Sequence, residues 1–264
     1  MSANERSHGR KSIHASITPR ALIGDSPDLV GVWRVDILSL FPDTFPGVLG
    51  ASITGKALKE NKWQLHTHDL RTYGEGKHRN VDDTPAGGGA GMVMRADVLG
   101  RAISDVLRRR DPCPIIYMSP RGRPLTHTRA KKLANGPGAI VLCGRFEGID
   151  QRVIDHFQIE EISIGDYVLS GGELAAQVML DASIRLIPGV LGNQASTEEE
   201  SFSNGLLEHP QFTRPPVWEG RTIPPVLMSG HHGKVADWQK QQSEELTRQR
   251  RPDLWKEFNK SHKT

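Results

Sequence analysis

The stretch SIGDYVLSGGEL at residues 163–174 begins as a strand-like segment, breaks at Gly171 and Gly172, and launches a helix. A phosphate loop, a tight turn and a cofactor cradle all use such a corner. Two more stretches share its logic. CGRFEGID at 143–150 follows an apolar strand and precedes a helix, and YMSPRG at 117–122 closes another apolar strand. In open α/β sheets ligands gather outside the carboxyl ends of the strands. Three such corners in succession point to one ligand lying across them. Gly144 and Gly148 permit close backbone approach, and the carboxylate of Glu147 suits a cationic ligand. A structural turn with an exposed Glu–Arg pair explains CGRFEGID equally well.

Around these corners strands and helices alternate. WRVDILSL, WQLHTHDL, PIIYMS, GAIVLC and EISIGDYVL read as strands. SITGKALKEN, MRADVLGRAISDVLRRR, THTRAKKLAN (opened by Thr126), IDQRVIDHF and GELAAQVMLDASIRLI read as helices. The lengths predict βαβ units with a largely parallel, buried sheet, and so an α/β domain over about 31–190. Residues 1–30 lack periodicity and read as a flexible tail. GNQASTEEESFSNG at 192–205 is polar and glycine-flanked, a linker. Beyond it a proline-rich stretch leads into KVADWQKQQSEELTRQR and RPDLWKEF, a small, mostly helical second domain.

Composition narrows the class. The 264 residues hold no apolar run near the roughly 20 that span a bilayer, and MSANERSHGRKSIHAS has no apolar core of a secretory signal, so a cytoplasmic protein is expected. The two cysteines, Cys113 and Cys143, form no C-x-x-C pattern, and Cys143 in AIVLC is expected to pack. The net charge is +3; residues from 203 onward carry 10 Lys+Arg against 7 Asp+Glu, whereas 31–202 carry 20 against 21. The C-terminal part is the more basic one, as a phosphate-contacting module would be.

Other motifs are weaker. GASITGKA at 50–57 nearly fits a P-loop, but Ala57 stands where the Mg²⁺-binding hydroxyl belongs. His66 and His68 share a strand face without a third ligand nearby and read as ordinary histidines. DDTPAGGGAGM at 82–92 does not fit G-x-G-x-x-G; it is either a flexible loop or a backbone-lined approach for a planar ligand. Asp181 and Arg185, four apart on a helix, suit a surface ion pair.

Longer motifs decide between these readings. LFPDTF, DDTPAGGGAGMVM, YMSPRG, LCGRFEGID, SIGDYVLSGGE, RLIPGVLG, the SF after the acidic run, and TRPPVWEG…PPVLMSGHH follow one another over about 34–250. In them the chain resembles the bacterial tRNA (guanine-N1)-methyltransferases, the TrmD family of the SPOUT superfamily. The resemblance implies methyl transfer from S-adenosylmethionine to N1 of the guanosine at tRNA position 37, 3′ to the anticodon, which supports the reading frame. It implies an α/β SPOUT domain (31–191) with a deep trefoil knot at the three corners, although true knots are nearly absent among folds. A linker (192–205) and a C-terminal tRNA-binding domain (206–264) are expected to contact tRNA. The active site is expected at a homodimer interface, with a Mg²⁺ requirement whose ligands spacing does not identify.

Carried over by position, the backbone of Ile164, Gly165, Tyr167 and Leu169, with Asp166 and Val168 beside them, is expected to meet the adenosine end of the cofactor. Tyr117, Met118, Pro120, Gly144, Gly148, Gly171 and Gly172 are expected to line the pocket, and Glu147 to sit near its methionine end. Arg185 matches the family's catalytic arginine, which displaces the ion-pair reading. Guanine N1 carries a proton at neutral pH, so a carboxylate must remove it, while a fixed cation holds the charge developing on O6. Arg185 suits the second task because it does not deprotonate. The family places aspartate before the SF pair; here the register puts Glu200 there, after Glu198 and Glu199. Its extra methylene displaces the carboxylate by about 1 Å, and misplacement on that scale can cost about 10²-fold. Ala86 and Ala90 beside the triple glycine, and Phe146, are smaller departures. A tRNA-binding homologue without catalysis and a methyltransferase with another RNA target are the rival readings.

Overall fold

The computed structural model describes residues 29–192 and 200–261; residues 1–28, 193–199 (with Glu198 and Glu199) and 262–264 lie outside the described residues. β1 (Trp33–Ser39), α1 (Ser52–Lys59) and β2 (Trp63–Asp69) come first, then the short strands β3 (Asp82–Asp83) and β4 (Val93–Met94), α2 (Ala96–Leu107) and β5 (Ile115–Pro124). The chain continues through α3 (His127–Ala134), β6 (Gly138–Cys143), α4 (Gln151–Phe157), β7 (Glu160–Ser163) and α5 (Gly172–Ile184). Last come β8 (Val217–Trp218), β9 (Arg221–Thr222), α6 (His232–Arg250) and α7 (Pro252–Ser261).

Five strands form one parallel sheet in the order β2-β1-β6-β5-β7. Side chains alternate across it and feed two cores. Val35, Ile37, Ile116, Val141 and Cys143 pack with α1, α3 and α5 on one face. Leu38, Ile115, Tyr117, Ile140 and Leu142 pack with α2 and α4 on the other. Both faces are covered, which is why the strand sequences are almost continuously apolar. Cys143 is fully buried in the first core, as expected of a packing residue.

Local chemistry sets the helix starts. The Thr126 side chain accepts from Arg129 N and caps α3, and the Asp150 side chain accepts from Arg152 N and caps α4. GASITGKA is not a loop at all, since Gly55 and Lys56 lie inside α1. The antiparallel pairs β3–β4 and β8–β9 escaped the sequence reading because two-residue strands carry no periodicity. YMSPRG also differs from expectation. It is a bulge within β5, because Met118 and Arg123 both pair with Ile162 and residues 119–122 leave the ladder between them. Gly122 makes this possible: a Cβ there would lie 2.4 Å from Ile162 N.

The opposite end of the sheet is pinned by a buried carboxylate. Asp36, on β1, is fully buried and meets Arg34 at 2.8 Å, Arg110 at 2.6 Å and His68 at 2.9 Å. Burial alone would raise its pKa, but the hydrogen bonds from His68 and Arg34 and the charges of Arg34 and Arg110 hold it far below the usual carboxylate range. His68 thus has a structural partner on the neighbouring strand. A depressed folded-state pKa means that this stability is present above the unfolded value of about 4 and is lost as pH falls through the folded one. Removing one member of a buried charge cluster costs about 3–5 kcal/mol. Asp36→Asn is therefore expected to lower the unfolding free energy measured in urea by an amount of that order at pH 7, and the difference from wild type should shrink in strong acid. A loss below about 1 kcal/mol at pH 7 would contradict this account.

Candidate active site

A cavity of about 250 Å³ opens where the ends of β5, β6 and β7 meet. Tyr117, Met118 and Pro120 line it from β5, Gly144, Glu147 and Gly148 from the β6 corner, and Ile164, Gly165, Tyr167, Val168, Leu169, Gly171 and Gly172 from the last corner. The three corners singled out in the sequence thus share one hollow. Asp166 lies on the same turn, between Gly165 and Tyr167, but is not among the lining residues. After Ser163 the chain leaves the strand, and Tyr167 N bonds back to Gly165 O at 2.9 Å. This turn leaves Tyr167 (55% exposed) and Val168 (83%) as an uncovered apolar rim. A flat, partly apolar ligand fits such a rim, with backbone groups of the same turn at its edge.

The glycines of this corner clear space for the protein itself. A Cβ on Gly172 would lie 2.8 Å from Cys143 Cα, and Gly172 N donates to Gly144 O at 3.0 Å. The start of α5 is thereby pressed against the end of β6. A Cβ on Gly171 would meet Arg145 Nε at 2.3 Å and Glu173 Oε2 at 2.6 Å. That space is filled by an ion pair, Arg145 Nη2 to Glu173 Oε2 at 3.0 Å, in which Glu173 is almost wholly buried. Ser39 Oγ donates to the other Glu173 oxygen at 2.7 Å, Arg145 Nη1 donates to Ser170 O at 3.2 Å, and the Arg145 guanidinium lies 4.3 Å from the centroid of the Phe41 ring. Sequence reasoning missed this cluster. Its signal was present in the Glu173 of GGEL and the Arg145 of CGRFEG, but the exposed pair expected at CGRFEGID joined Arg145 to a neighbour in that corner, not to a glutamate 28 positions on.

The glycine-rich stretch is anchored beside the cavity. Glu147 N donates to Met92 O and Met94 N donates to Gly148 O, both at 2.9 Å. Gly87, Gly88, Gly89 and Gly91 all take positive φ, and around the first three a Cβ would meet nothing. A wider hollow of about 1240 Å³ lies between β3, β4, α2 and α4, but its Arg95 and Arg152 are already engaged by Asp97 and Asp150.

Arg185 and Glu200 form a separate constellation. Arg185 caps the C-terminus of α5 and bonds Glu200 through both guanidinium nitrogens, at 2.7 and 2.5 Å. Glu200, not Asp181, is therefore its ion-pair partner. These hydrogen bonds hold the Glu200 carboxyl below its usual range, and the nearby His127 adds to the effect. Arg185 lines another cavity, of about 600 Å³, which shares no residue with the first. The 13 residues of α5 separate Arg185 from Gly171 and Gly172 by about 20 Å at 1.5 Å per residue. Among the described residues no group of three or more His, Cys, Asp or Glu is assembled to hold a metal ion, so the Mg²⁺ expectation gains no ligand set.

The sequence from residue 33 to 257 matches the family model described as tRNA (Guanine-1)-methyltransferase TrmD. The chain belongs to this family. It is 64% identical over 231 residues to a protein of Ruegeria pomeroyi, covering 87% of this chain and 95% of the relative. It is 66% identical over 229 residues to one of Roseobacter denitrificans (86% and 95%), and 58% identical over 233 residues to one of Brucella melitensis (88% and 95%). All three relatives carry the name tRNA (guanine-N(1)-)-methyltransferase. The matched span includes all three corners, Arg185 and Glu200.

If the approach at Gly172 sets the corner, Gly172→Ala should cost about 1–3 kcal/mol in urea denaturation, because backbone stands where the methyl would go. Gly233→Ala, with nothing within 4 Å of its Cβ, is the control and should shift stability by less than about 0.5 kcal/mol or stabilise. Equal effects of the two substitutions would remove the packing role assigned to Gly172.

Proposed function

We propose that the protein transfers the methyl group of S-adenosylmethionine to N1 of the guanine 3′-adjacent to the anticodon of tRNA, position 37. The observation that carries this reading is the three-corner cavity together with the Arg185–Glu200 pair, in a chain whose relatives bear that activity in their names. Bound at the corners, S-adenosylmethionine presents a methyl group on a cationic sulfur. The backbone of Ile164, Gly165, Tyr167 and Leu169 offers the donors and acceptors that distinguish an adenine edge. Tyr117, Met118 and Pro120 supply apolar wall, and Glu147 a carboxylate for the cationic end.

Glu200 takes the N1 proton and Arg185 holds the charge that builds on O6. In the unliganded chain the two neutralise each other, and a carboxylate held at low pKa is a weak base. Insertion of the guanine between them transfers Arg185 to O6 and returns basicity to Glu200 where the proton leaves. Because α5 holds this pair about 20 Å from the cavity of its own chain, a second copy must bring its pair to that cavity. A homodimer is supported further by the apolar face of Val48, Leu174 and Val178, each at least half exposed. The passage of α5 tight against β6, with β5 bulged around Ile162, supports the trefoil knot. The exposed Trp218 hairpin and the basic balance after residue 203 support a C-terminal tRNA-binding unit. No helix among the described residues is long and apolar enough to cross a membrane, which accords with work on tRNA in the cytoplasm.

Purified protein incubated with labelled cofactor should label a tRNA transcript bearing guanine next to the anticodon and leave the adenine-bearing transcript unlabelled. No transfer to the first transcript, with Mg²⁺ present, leaves only a tRNA-binding role. Glu200→Gln should lower single-turnover methylation about 10²–10⁴-fold; full activity there, with loss in Glu199→Gln, would move the base to Glu199. Mixing Glu147→Ala with Arg185→Ala chains tests the shared site. Exchange into dimers should restore up to about a quarter of wild-type activity, since half the dimers are mixed and each holds one intact site. A mixture as inactive as its components would mean that each chain completes its own site.

A further inference from the structure

The 600 Å³ cavity beside Arg185 has a composition that neither the cofactor nor the reacting atoms explain. Its size lies within the roughly 300–1,000 Å³ of small-molecule sites. Lys131 and Arg185 are its cations, His127 adds an imidazole and Asn135 an amide, and among the described residues no carboxylate lines it. His127, Lys131 and Asn135 recur every fourth residue and so share one face of α3 and its C-terminal end. Arg129, on another face of α3, is already bound to both Glu160 oxygens through Nε and Nη2. By contrast, among the described residues the side chains of Lys131, His127 and Asn135 make no hydrogen bond and no ion pair within 4 Å. The opposite wall is apolar, built from Leu186, Ile187 and the half-exposed ring of Phe202.

Cations and an amide on one side and an aromatic ring on the other are what one nucleotide of a single-stranded RNA segment requires. The phosphodiester meets the charges, and the sugar or base lies on the ring. We propose that the His127–Lys131–Asn135 face of α3 seats a backbone phosphate of the tRNA flanking the target guanine, and so positions that guanine against Arg185 and Glu200. The assignment rests on the tRNA reading above and adds the phosphate-positioning residues to it. Lys131 carries most of the charge. His127, Lys131 and Arg185 line one cavity, so a phosphate held on α3 shares that hollow with the arginine that meets the guanine.

The test is steady-state methylation of a tRNA transcript by Lys131→Ala and His127→Gln at several salt concentrations, with tRNA binding followed by fluorescence anisotropy. Lys131→Ala should raise the KM for tRNA roughly 10-fold and flatten the log–log salt dependence of kcat/KM by about 1, as loss of one phosphate contact does. KM should rise by more than kcat falls, affinity for S-adenosylmethionine measured by calorimetry should be unaffected, and Lys131→Arg should restore the salt dependence. Unchanged KM and salt slope in the doubly substituted protein would overturn the proposal, as would a fall in kcat with KM unaltered. Anisotropy keeps the two readings apart. If wild type binds tRNA without methylating it, the proposed activity fails, and the phosphate seat is still judged by the salt dependence of binding.

Discussion

The fold depends on one close approach, the backbone of Gly172 against the end of β6 at Cys143 and Gly144. No side chain fits between them, and the hydrogen bond from Gly172 N to Gly144 O fixes the distance. Because α5 starts at that contact, the turn at 164–171 has only one place to go, over the carboxyl ends of β5 and β6. The ion pair from Arg145 to the buried Glu173 then holds the arrangement from behind. Glu173, on the first turn of α5, is held by Ser39 from the end of β1, and Arg145 ties the carbonyl of Ser170 to the ring of Phe41. Displacing Arg145 would leave the buried Glu173 carboxylate without its charge partner. The wall of the cavity is therefore packed where it meets β6 and exposed at its rim, around Tyr167 and Val168.

The same helix that builds the cavity carries Arg185 away from it. One end of α5 is fixed at the Gly172 corner and the other carries Arg185, so its length alone keeps the Arg185–Glu200 pair and that cavity apart within a chain. On the proposed reading, a monomer then holds cofactor without a base beside it. The Arg185–Glu200 pair suits this division. Paired with each other, the two groups are neutral overall and the base is suppressed by its own partner. Only a ligand that competes for Arg185 releases it. Guanine offers such competition as negative charge develops on O6, so the interaction grows along the reaction coordinate instead of being spent on substrate binding.

Much of this was legible in the sequence, and what was not has physical causes. The alternation of apolar strands with amphipathic helices gave the parallel sheet, because burial on both faces leaves a periodic trace. The three corners were visible for the same reason, each lying at the end of an apolar run. Their motifs identified the family. The bulge in β5 left no trace, since Ser119 and Pro120 look like ordinary loop residues and their displacement is dictated by β7, nearly 40 positions later. Gly171 and Gly172 were visible as glycines, but the sequence could not say what fills the space they vacate. Asp36 alternates with apolar neighbours like any strand residue, and only the convergence of Arg34, Arg110 and His68 from three segments makes its burial tolerable.

The glutamate at position 200, where the resemblance implies aspartate, also takes on a physical meaning. A carboxylate that reaches Arg185 with both oxygens needs the planes of the two groups to face each other. Glu200 achieves this from within the linker, with Phe202 two residues later in a left-handed turn closed by its N–H to Leu206 O at 2.8 Å. The carboxylate reaches Arg185 at the C-terminal end of α5 with both oxygens. What distinguishes the two acids here is their reach from a fixed backbone. If the guanine is held by its phosphate on α3 and by Arg185 at O6, a longer base can still find N1, because the substrate's position does not depend on the residue that deprotonates it.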